Sequence, residues 1–317
     1  MTRAAPISKR RGGSTGAFSI WLQAIRVHTL TVFGGAVVVG GAAAYHAGFF
    51  SLERFLLALA GSLAIQAGTN LNNDYYDYVS GADTRDPEAP DAFGPGMVIQ
   101  RGLLSAEQVW RGGIAAFAVG SAIGLVLVYM CGWPVLVLGV VSVAAGYFST
   151  AKPVAFAYLA MGDVVALVFL GPAIVMGTYY VLAGSVSAGA FAVSLSAGFL
   201  GSGVLVVNNL RDIERDRRTG KRTLATYLGR RGTIIELALF DAAAFGAVLA
   251  GVLTRALPGV CLMVFLALSR AVDELRIAGR TTDPRELGTA MKRAAQLHME
   301  FCLLAAAAFV IAATRGW

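Results

Sequence analysis

The chain has 317 residues, of which 56% are hydrophobic and only 14% are charged, and its formal net charge is +7. Soluble domains contain about 25% charged residues, so this deficit and the long uncharged runs exclude an ordinary soluble domain. They favour a polytopic helical membrane protein, and the continuous apolar runs are unlike the alternating strands of a membrane β-barrel.

The order of polar and apolar segments predicts a tail followed by one membrane domain. Residues 1–18 are polar, basic and rich in glycine and serine, so we expect a disordered tail, and residues 19–317 form a single transmembrane domain. The second and sixth spans are expected to continue as helices beyond the hydrocarbon. Nine spans are predicted, at 29–50, 54–72, 112–131, 133–150, 159–183, 186–207, 234–254, 257–273 and 296–314.

The distribution of basic residues predicts the orientation of these spans. With a cytoplasmic N-terminus, only Arg54, Arg255 and Arg315 of the 26 lysine and arginine residues fall on the opposite side. Cytoplasmic loops carry the excess of lysine and arginine in membrane proteins. We therefore expect an integral protein of the cell (inner) membrane with a cytoplasmic N-terminus, and no nucleic-acid partner.

An acidic cluster stands at the predicted cytoplasmic end of the second span. Asn70, Asp74 and Asp77 lie on one helical face through i+4 and i+3 spacing, and Asn73 and Asp77 are also neighbours. Asp83 returns from the loop that is expected to follow. Acidic groups in membrane segments are costly, so a functional role is the default hypothesis for this cluster.

A second cluster stands at the equivalent end of the sixth span. Asn208, Asp212 and Asp216 share one helical face, and Asn209 lies beside Asp212. The paired asparagines in both clusters suggest a weak internal repeat of spans one to four against five to eight. Repeats of this kind often place a site at their interface.

Together the clusters predict a site for divalent cations and a diphosphate. Neighbouring carboxylates repel unless a cation lies between them, and carboxylate and amide oxygens suit Mg²⁺, which also binds substrate phosphates. Arg101, Lys221 and Arg222 in the adjoining loops are candidates to clamp the diphosphate. Other arginines are expected to provide only cytoplasmic positive charge: Arg215, Arg217, Arg218, Arg230 and Arg231.

Both clusters resemble the motifs of a known family. The segment from Asn73 to Asp83 is similar to the first aspartate motif of the UbiA-type intramembrane prenyltransferases, and the segment from Asn209 to Thr223 is similar to the second. The closer resemblance is to the 1,4-dihydroxy-2-naphthoate polyprenyltransferases of menaquinone synthesis. Further stretches at 94–105, 162–172 and 177–180 support that branch.

The resemblance implies an all-α prenyltransferase domain with about nine helices around a central cavity open to the cytoplasmic side. Mg²⁺ and polyprenyl diphosphate bind there, and an aromatic acceptor attacks the allylic cation. The implied metal ligands are Asp74, Asp77, Asp83, Asn209, Asp212 and Asp216; the diphosphate ligands are Asn73, Arg101, Asn209, Lys221 and Arg222; and the catalytic residues are Asp74, Asp77, Asp163, Asp212, Asp216 and Lys221.

Several alternatives stay open from the sequence. Asp163, at the start of the fifth span, either orients the acceptor hydroxyl or takes a proton, or it only compensates the helix N-terminus. A prenyltransferase of the same fold can use another acceptor, such as 4-hydroxybenzoate, haem, a lipid or a sugar phosphate. A cation-coupled membrane transporter is a different class, which is expected to hold acidic residues nearer the bilayer centre.

Overall fold

The computed structural model describes residues 16–81 and 97–316, and these residues form an all-α fold. Most of the predicted tail lies outside the described residues, and a helix already begins at Ala17, within the range expected to be disordered. In chain order the α-helices of the described residues are α1 (Ala17–Ala24), α2 (Val27–His46), α3 (Leu52–Ser80), α4 (Ala106–Cys131), α5 (Trp133–Phe148), α6 (Gly162–Val168), α7 (Gly177–Ala183), α8 (Ala188–Thr219), α9 (Leu224–Leu253), α10 (Leu268–Arg280) and α11 (Pro284–Arg315).

Six helical segments of the described residues are long and apolar enough to cross a membrane, which agrees with an integral membrane protein. Helix α3 falls outside this group although it has 29 residues, since polar residues such as Gln66 and Asn70 interrupt its apolar run. The six segments are Thr29–His46, Ala106–Cys131, Gly162–Ala183, Ala188–Thr219, Leu224–Leu253 and Pro284–Arg315.

The two helices that carry the acidic clusters begin and end in the same way. Ser51 before α3 and Ser187 before α8 each accept a hydrogen bond from a backbone amide of the first turn. Gly81 and Gly220 end the helices in the left-handed region, with φ of 76° and 74°, where a side chain would be strained. The structure confirms that both helices continue beyond their predicted apolar spans.

Helical boundaries differ most from prediction in the second half of the chain. Helix α9 begins at Leu224, ahead of the predicted start at 234, and α11 begins at Pro284, ahead of the predicted start at 296. Both early turns are polar, so hydropathy alone did not include them. The fifth predicted span is interrupted by a π-helical segment, Phe169–Met176, which contains Pro172 and joins α6 to α7.

The packing order places α3 and α8 around a common interior. Helix α3 packs mainly on α4, α8 packs on α9, and α11 contacts both α2 and α8. The largest hydrophobic core cluster is shared among α2, the π-helical segment, α8 and α11. The remaining interior space is enclosed by α2 to α8, the π-helical segment and α11.

Candidate active site

A cavity of about 990 Å³ lies inside the helices, and both acidic clusters contribute to its wall. Asp77 of α3 and Asp212 of α8 line one end, and Asp77 also interacts electrostatically with Asp216. The other end is lined by Leu127, Val135 and Val181, which belong to a small hydrophobic cluster. The cavity is therefore polar and acidic at one end and apolar at the other.

The depth of the cavity follows from the length of α3. Ala58 near the start of this helix and Asp77 near its end both line the wall. At 1.5 Å per residue these positions are about 28 Å apart, close to the thickness of a bilayer hydrocarbon core. A long, narrow apolar molecule with a polar head matches this shape.

Arg26 neutralises the most deeply buried acidic residue of the first cluster. Its guanidinium forms an ion pair with Asp74, whose side chain is only 1% exposed, and Arg26 itself lines the cavity. The second carboxylate oxygen of Asp74, Oδ2, has no hydrogen-bond partner within the described part of the chain. Asp74 is thus paired with Arg26 through one carboxylate oxygen, while its other oxygen is buried without a partner among the described residues.

The asparagines of the first cluster are fixed by neighbouring helices. The amide nitrogen of Asn70 donates to Thr29 Oγ1 at 2.7 Å and to the carbonyl of Ile25 at 2.8 Å. The amide oxygen of Asn73 accepts hydrogen bonds from Ser149 and Thr150 after α5, at 2.6 and 3.0 Å. These contacts hold the acidic end of α3 against the N-terminal helices and the α5–α6 loop.

Two arginines surround Asp212 of the second cluster. Arg211 donates to both carboxylate oxygens, at 2.9 and 2.7 Å, and Arg215 donates to Oδ2 at 2.9 Å. Both arginines line the cavity. The expectation that Arg215 provides only positive charge at the membrane surface was therefore wrong, because its guanidinium turns inward to the buried carboxylate.

Asp163 lies beside the second cluster. Its side chain is buried, and its Oδ1 accepts a hydrogen bond from the amide of Asn209 at 3.0 Å. Its backbone carbonyl accepts from Ser202 at 2.7 Å, which ties α6 to α8. Asp163 and Asn209 both line the cavity, so α6 brings a third carboxylate to the polar end.

Lys221 reaches the cavity from the loop between α8 and α9. Its ammonium lies 5.4 Å from the centre of the Tyr158 ring and interacts electrostatically with Asp212 and Asp216. The Tyr158 hydroxyl donates to Asp77 Oδ1 at 2.6 Å. A cationic group therefore stands over the acidic end of the cavity, next to both clusters.

Comparison with known proteins identifies the family. The model of the UbiA prenyltransferase family matches residues 34–298. The chain belongs to the UbiA prenyltransferase family. It is 34% identical to the 1,4-dihydroxy-2-naphthoate octaprenyltransferase of Escherichia coli (strain K12) over 238 residues, covering 70% of this chain and 76% of that protein. It is 28% identical to the Bacillus subtilis (strain 168) protein of the same name, covering 90% of each.

A solved structure has the same fold at low sequence identity. The UbiA homologue from Archaeoglobus fulgidus bound to GPP and Mg²⁺ superposes with a TM-score of 0.60 at 16% identity, covering 91% of this chain and all of that one. Family membership and the named relatives show that the chain is a prenyltransferase. They confirm the enzyme interpretation over the transporter alternative.

The structure brings most, but not all, of the predicted residues to the cavity of this family member. Asp74 and Asp216 are buried just behind the wall, Arg101 and Arg222 are exposed and do not line it, and Asp83 lies outside the described residues. The predicted residues that line the wall are Asn73, Asp77, Asp163, Asn209, Asp212 and Lys221.

The oxygen donors fit Mg²⁺ only when the substrate contributes ligands. Among the described residues no three carboxylate, imidazole or thiol groups are placed to hold a metal ion by themselves. Mg²⁺ in proteins commonly takes one or two carboxylates and completes its shell with phosphate oxygens and water. Asp74 keeps one buried oxygen without a partner, and Asp212 accepts three hydrogen bonds where a carboxylate offers about four positions.

Three further groups contact the aspartates directly: Arg26, Arg211 and Tyr158. The sequence interpretation assigned no role to the two arginines and favoured anchoring or packing for Tyr158. Arg26 had a signal, because it is an isolated cation immediately before an apolar span. The ring of Tyr158 was a candidate to stabilise a cation, but anchoring or packing is the commoner use of a tyrosine near a membrane interface and was favoured.

Proposed function

We propose that this prenyltransferase transfers a polyprenyl group from polyprenyl diphosphate to 1,4-dihydroxy-2-naphthoate and that the reaction depends on Mg²⁺. The observation that carries the proposal is the cavity with both aspartate motifs and Lys221 at one end and mainly apolar residues at the other. Two relatives named for this acceptor, and a neighbour solved with GPP and Mg²⁺, support the same substrates.

The acidic end would bind the diphosphate head. Asp74, Asp77, Asp212, Asp216 and Asn209 supply oxygen ligands for Mg²⁺, with Asp83 as a further candidate. When bound, Mg²⁺ neutralises diphosphate charge and makes it a better leaving group. Without the ion these carboxylates repel the substrate.

Cationic side chains of the chain act on the same diphosphate. Lys221 lies over the acidic end, and Arg26, Arg211 and Arg215 line the cavity wall. Each can donate charge-assisted hydrogen bonds to phosphate oxygens as the allylic C–O bond breaks and the electron pair leaves with the diphosphate. Arg101 and Arg222, which are exposed, would reach the diphosphate only after their loops move.

The acceptor would bind beside Asp163. This buried carboxylate can accept a hydrogen bond from an acceptor hydroxyl and raise the electron density of the ring. The ring carbon then forms a bond to the allylic cation, and the acceptor carboxylate leaves as carbon dioxide, returning its bonding electrons to the ring. The apolar wall excludes water, which would otherwise capture the cation.

The membrane arrangement completes the proposal. We infer nine spans with a cytoplasmic N-terminus in the cell (inner) membrane, and a cavity whose polar end opens to the cytoplasm. The strong bias of lysine and arginine to one set of loops supports this orientation. A polyprenyl tail is then kept in the bilayer while its diphosphate reaches the cytoplasmic face.

The proposal is tested with purified protein, Mg²⁺, prenyl diphosphates and a panel of aromatic acids, with products identified by mass. We expect a prenylated, decarboxylated naphthoate product that disappears with EDTA and returns with added Mg²⁺. Asp77→Asn and Asp212→Asn should each lower the rate at least 100-fold, about 2.7 kcal/mol of transition-state stabilisation.

The outcomes separate the parts of the proposal. Absence of Mg²⁺-dependent diphosphate release with every acceptor contradicts the donor and metal assignments. If 4-hydroxybenzoate gives product and the naphthoate does not, only the assignment of the acceptor is wrong. Full activity of both aspartate variants overturns the site.

A further inference from the structure

The loop between α5 and α6 connects the two aspartate motifs. It contains a short 3₁₀ turn, Phe156–Tyr158. Just after this turn, the amide of Ala160 donates to the carbonyl of Arg222 at 2.7 Å, and Leu159 pairs with Arg222 as an isolated parallel bridge. The loop is thus attached through its backbone to the end of the second motif.

The side chain of Tyr158 extends from this loop to both motifs. Its hydroxyl donates to Asp77 Oδ1 at 2.6 Å and lies 3.0 Å from Ser80 Oγ, so it contacts the end of α3. Its ring lies 5.4 Å from the Lys221 ammonium. One side chain therefore contacts a carboxylate of the first motif and the lysine of the second.

Both contacts act on groups that the reaction needs. A hydrogen bond to a carboxylate is charge-assisted and restricts its rotation, which leaves Asp77 Oδ2 oriented for a ligand. A ring face next to an ammonium stabilises it by cation–π attraction and limits where a flexible lysine can go. Packing alone does not require a tyrosine, because phenylalanine fills the same volume.

We propose that Tyr158 is a positioning residue that sets the distance between Asp77 and Lys221 and so prepares the site for the prenyl diphosphate. The inference rests on the proposed function of this cavity and assigns a role to a residue outside both motifs. The hydroxyl contacts the acidic side of the site, and the ring contacts the cationic side. The hydroxyl contact can be removed by itself, and both contacts can be removed together.

The test compares Tyr158→Phe, which removes only the hydroxyl, with Tyr158→Leu, which removes both contacts. For Tyr158→Phe we expect the Mg²⁺ concentration for half-maximal activity to rise roughly tenfold while KM for the donor changes less. Tyr158→Leu should also raise KM for the donor by about threefold to tenfold, since Lys221 loses its ring contact. Tyr129→Phe is the matched control, because Tyr129 is 93% exposed on α4.

A second readout does not depend on turnover. Binding of radiolabelled geranyl diphosphate to the purified variants is measured with Mg²⁺ and with EDTA, without acceptor. We expect Tyr158→Phe to need more Mg²⁺ for the same binding, and Tyr158→Leu to bind less at saturating Mg²⁺. Thermal unfolding shows whether each variant is folded. If Tyr158→Leu does not fold, the result for Tyr158→Phe alone tests the positioning role.

The results distinguish this inference from the proposed function. If the wild type turns over and Tyr158→Phe equals it in both Mg²⁺ dependence and binding, the positioning role is overturned while the function stands. If the wild type itself shows no Mg²⁺-dependent binding or transfer, the proposed function fails, and with it the basis for the role of Tyr158.

Discussion

At the scale of single residues, ion pairs between buried carboxylates and arginines organise the site. Asp74 is almost fully buried and relies on Arg26, and Asp212 relies on Arg211 and Arg215. A buried carboxylate without a partner is costly, and at Asp74 and Asp212 arginines already stand beside the carboxylate. In the proposed function a bound diphosphate would interact with these same arginines, which line the cavity wall.

Removing Arg26 should destabilise the protein through Asp74. We expect Arg26→Leu to lower the free energy of unfolding by roughly 3 kcal/mol, because it leaves a buried charge unpaired. Adding Asp74→Asn to the Arg26→Leu variant should restore most of the lost free energy of unfolding, since it removes the unpaired charge. Thermal unfolding in detergent measures both.

The control for this change is an exposed ion pair. Arg111→Leu breaks the pair with Glu107, whose side chains are 73% and 68% exposed, and should leave the unfolding temperature nearly unchanged. An Arg26→Leu variant as stable as Arg111→Leu would contradict the pairing of Arg26 with Asp74.

At the scale of helices, the site depends on close packing behind it. The π-helical segment crosses α8 at Gly171 and Gly198, where a Cβ built on Gly198 would lie 2.5 Å from the carbonyl oxygen of Leu167 and 3.1 Å from Gly171 Cα. Backbone cannot give way there as a side chain can. This contact keeps Asp163 of α6 next to Asn209 of α8.

Gly198→Ala should therefore separate these helices. We expect a loss of roughly 1–3 kcal/mol from overpacking, together with reduced activity because Asp163 moves away from Asn209. Gly246→Ala in α9 is the matched control, since no heavy atom lies within 4 Å of its built Cβ, and its unfolding temperature should not fall. Unfolding temperature and rate are measured for both, and a Gly198→Ala variant that matches Gly246→Ala would count against the close crossing.

At the scale of the whole molecule, the cavity runs from its acidic end to its apolar end. The apolar end lies at the end of α4, the start of α5 and the end of α7. Small residues from several helices line the cavity, among them Gly61, Gly124 and Gly139. Their small size leaves the width that a prenyl chain needs. No single helix defines this space, because each contributes only one side.

A narrower cavity should slow the reaction of long prenyl diphosphates more than that of short ones. Gly139→Leu places a large side chain on the wall, and nothing lies within 4 Å of a Cβ built there, so the helix can accept it. We expect kcat/KM to fall more than tenfold for long polyprenyl diphosphates and less than threefold for geranyl diphosphate. Gly246→Leu, away from the cavity wall, should leave the ratio unchanged, and an unchanged ratio for Gly139→Leu would show that the chain takes another path.

Local patterns in the sequence predicted much of this protein. Apolar length and helical spacing predicted most of the helices and put the acidic residues on α3 and α8, because both depend on near neighbours in the chain. Glycines 81 and 220 end these helices for the same local reason. The eighth predicted span, 257–273, is instead a 3₁₀ helix, Gly259–Ala267, that leads into α10. Matching motifs then led to the family, which comparison confirmed.

Only the tertiary structure decided which polar side chains contact each other in the site. Asp74 pairs with a residue 48 positions away and Asp77 with one 81 positions away, and no spacing rule reaches so far. Arg101 was predicted to bind the diphosphate yet is exposed, whereas Arg215 was predicted to be surface charge and contacts the buried Asp212. Chain-local forces set the helices and their faces, but packing of distant helices determines which of those faces enclose the cavity.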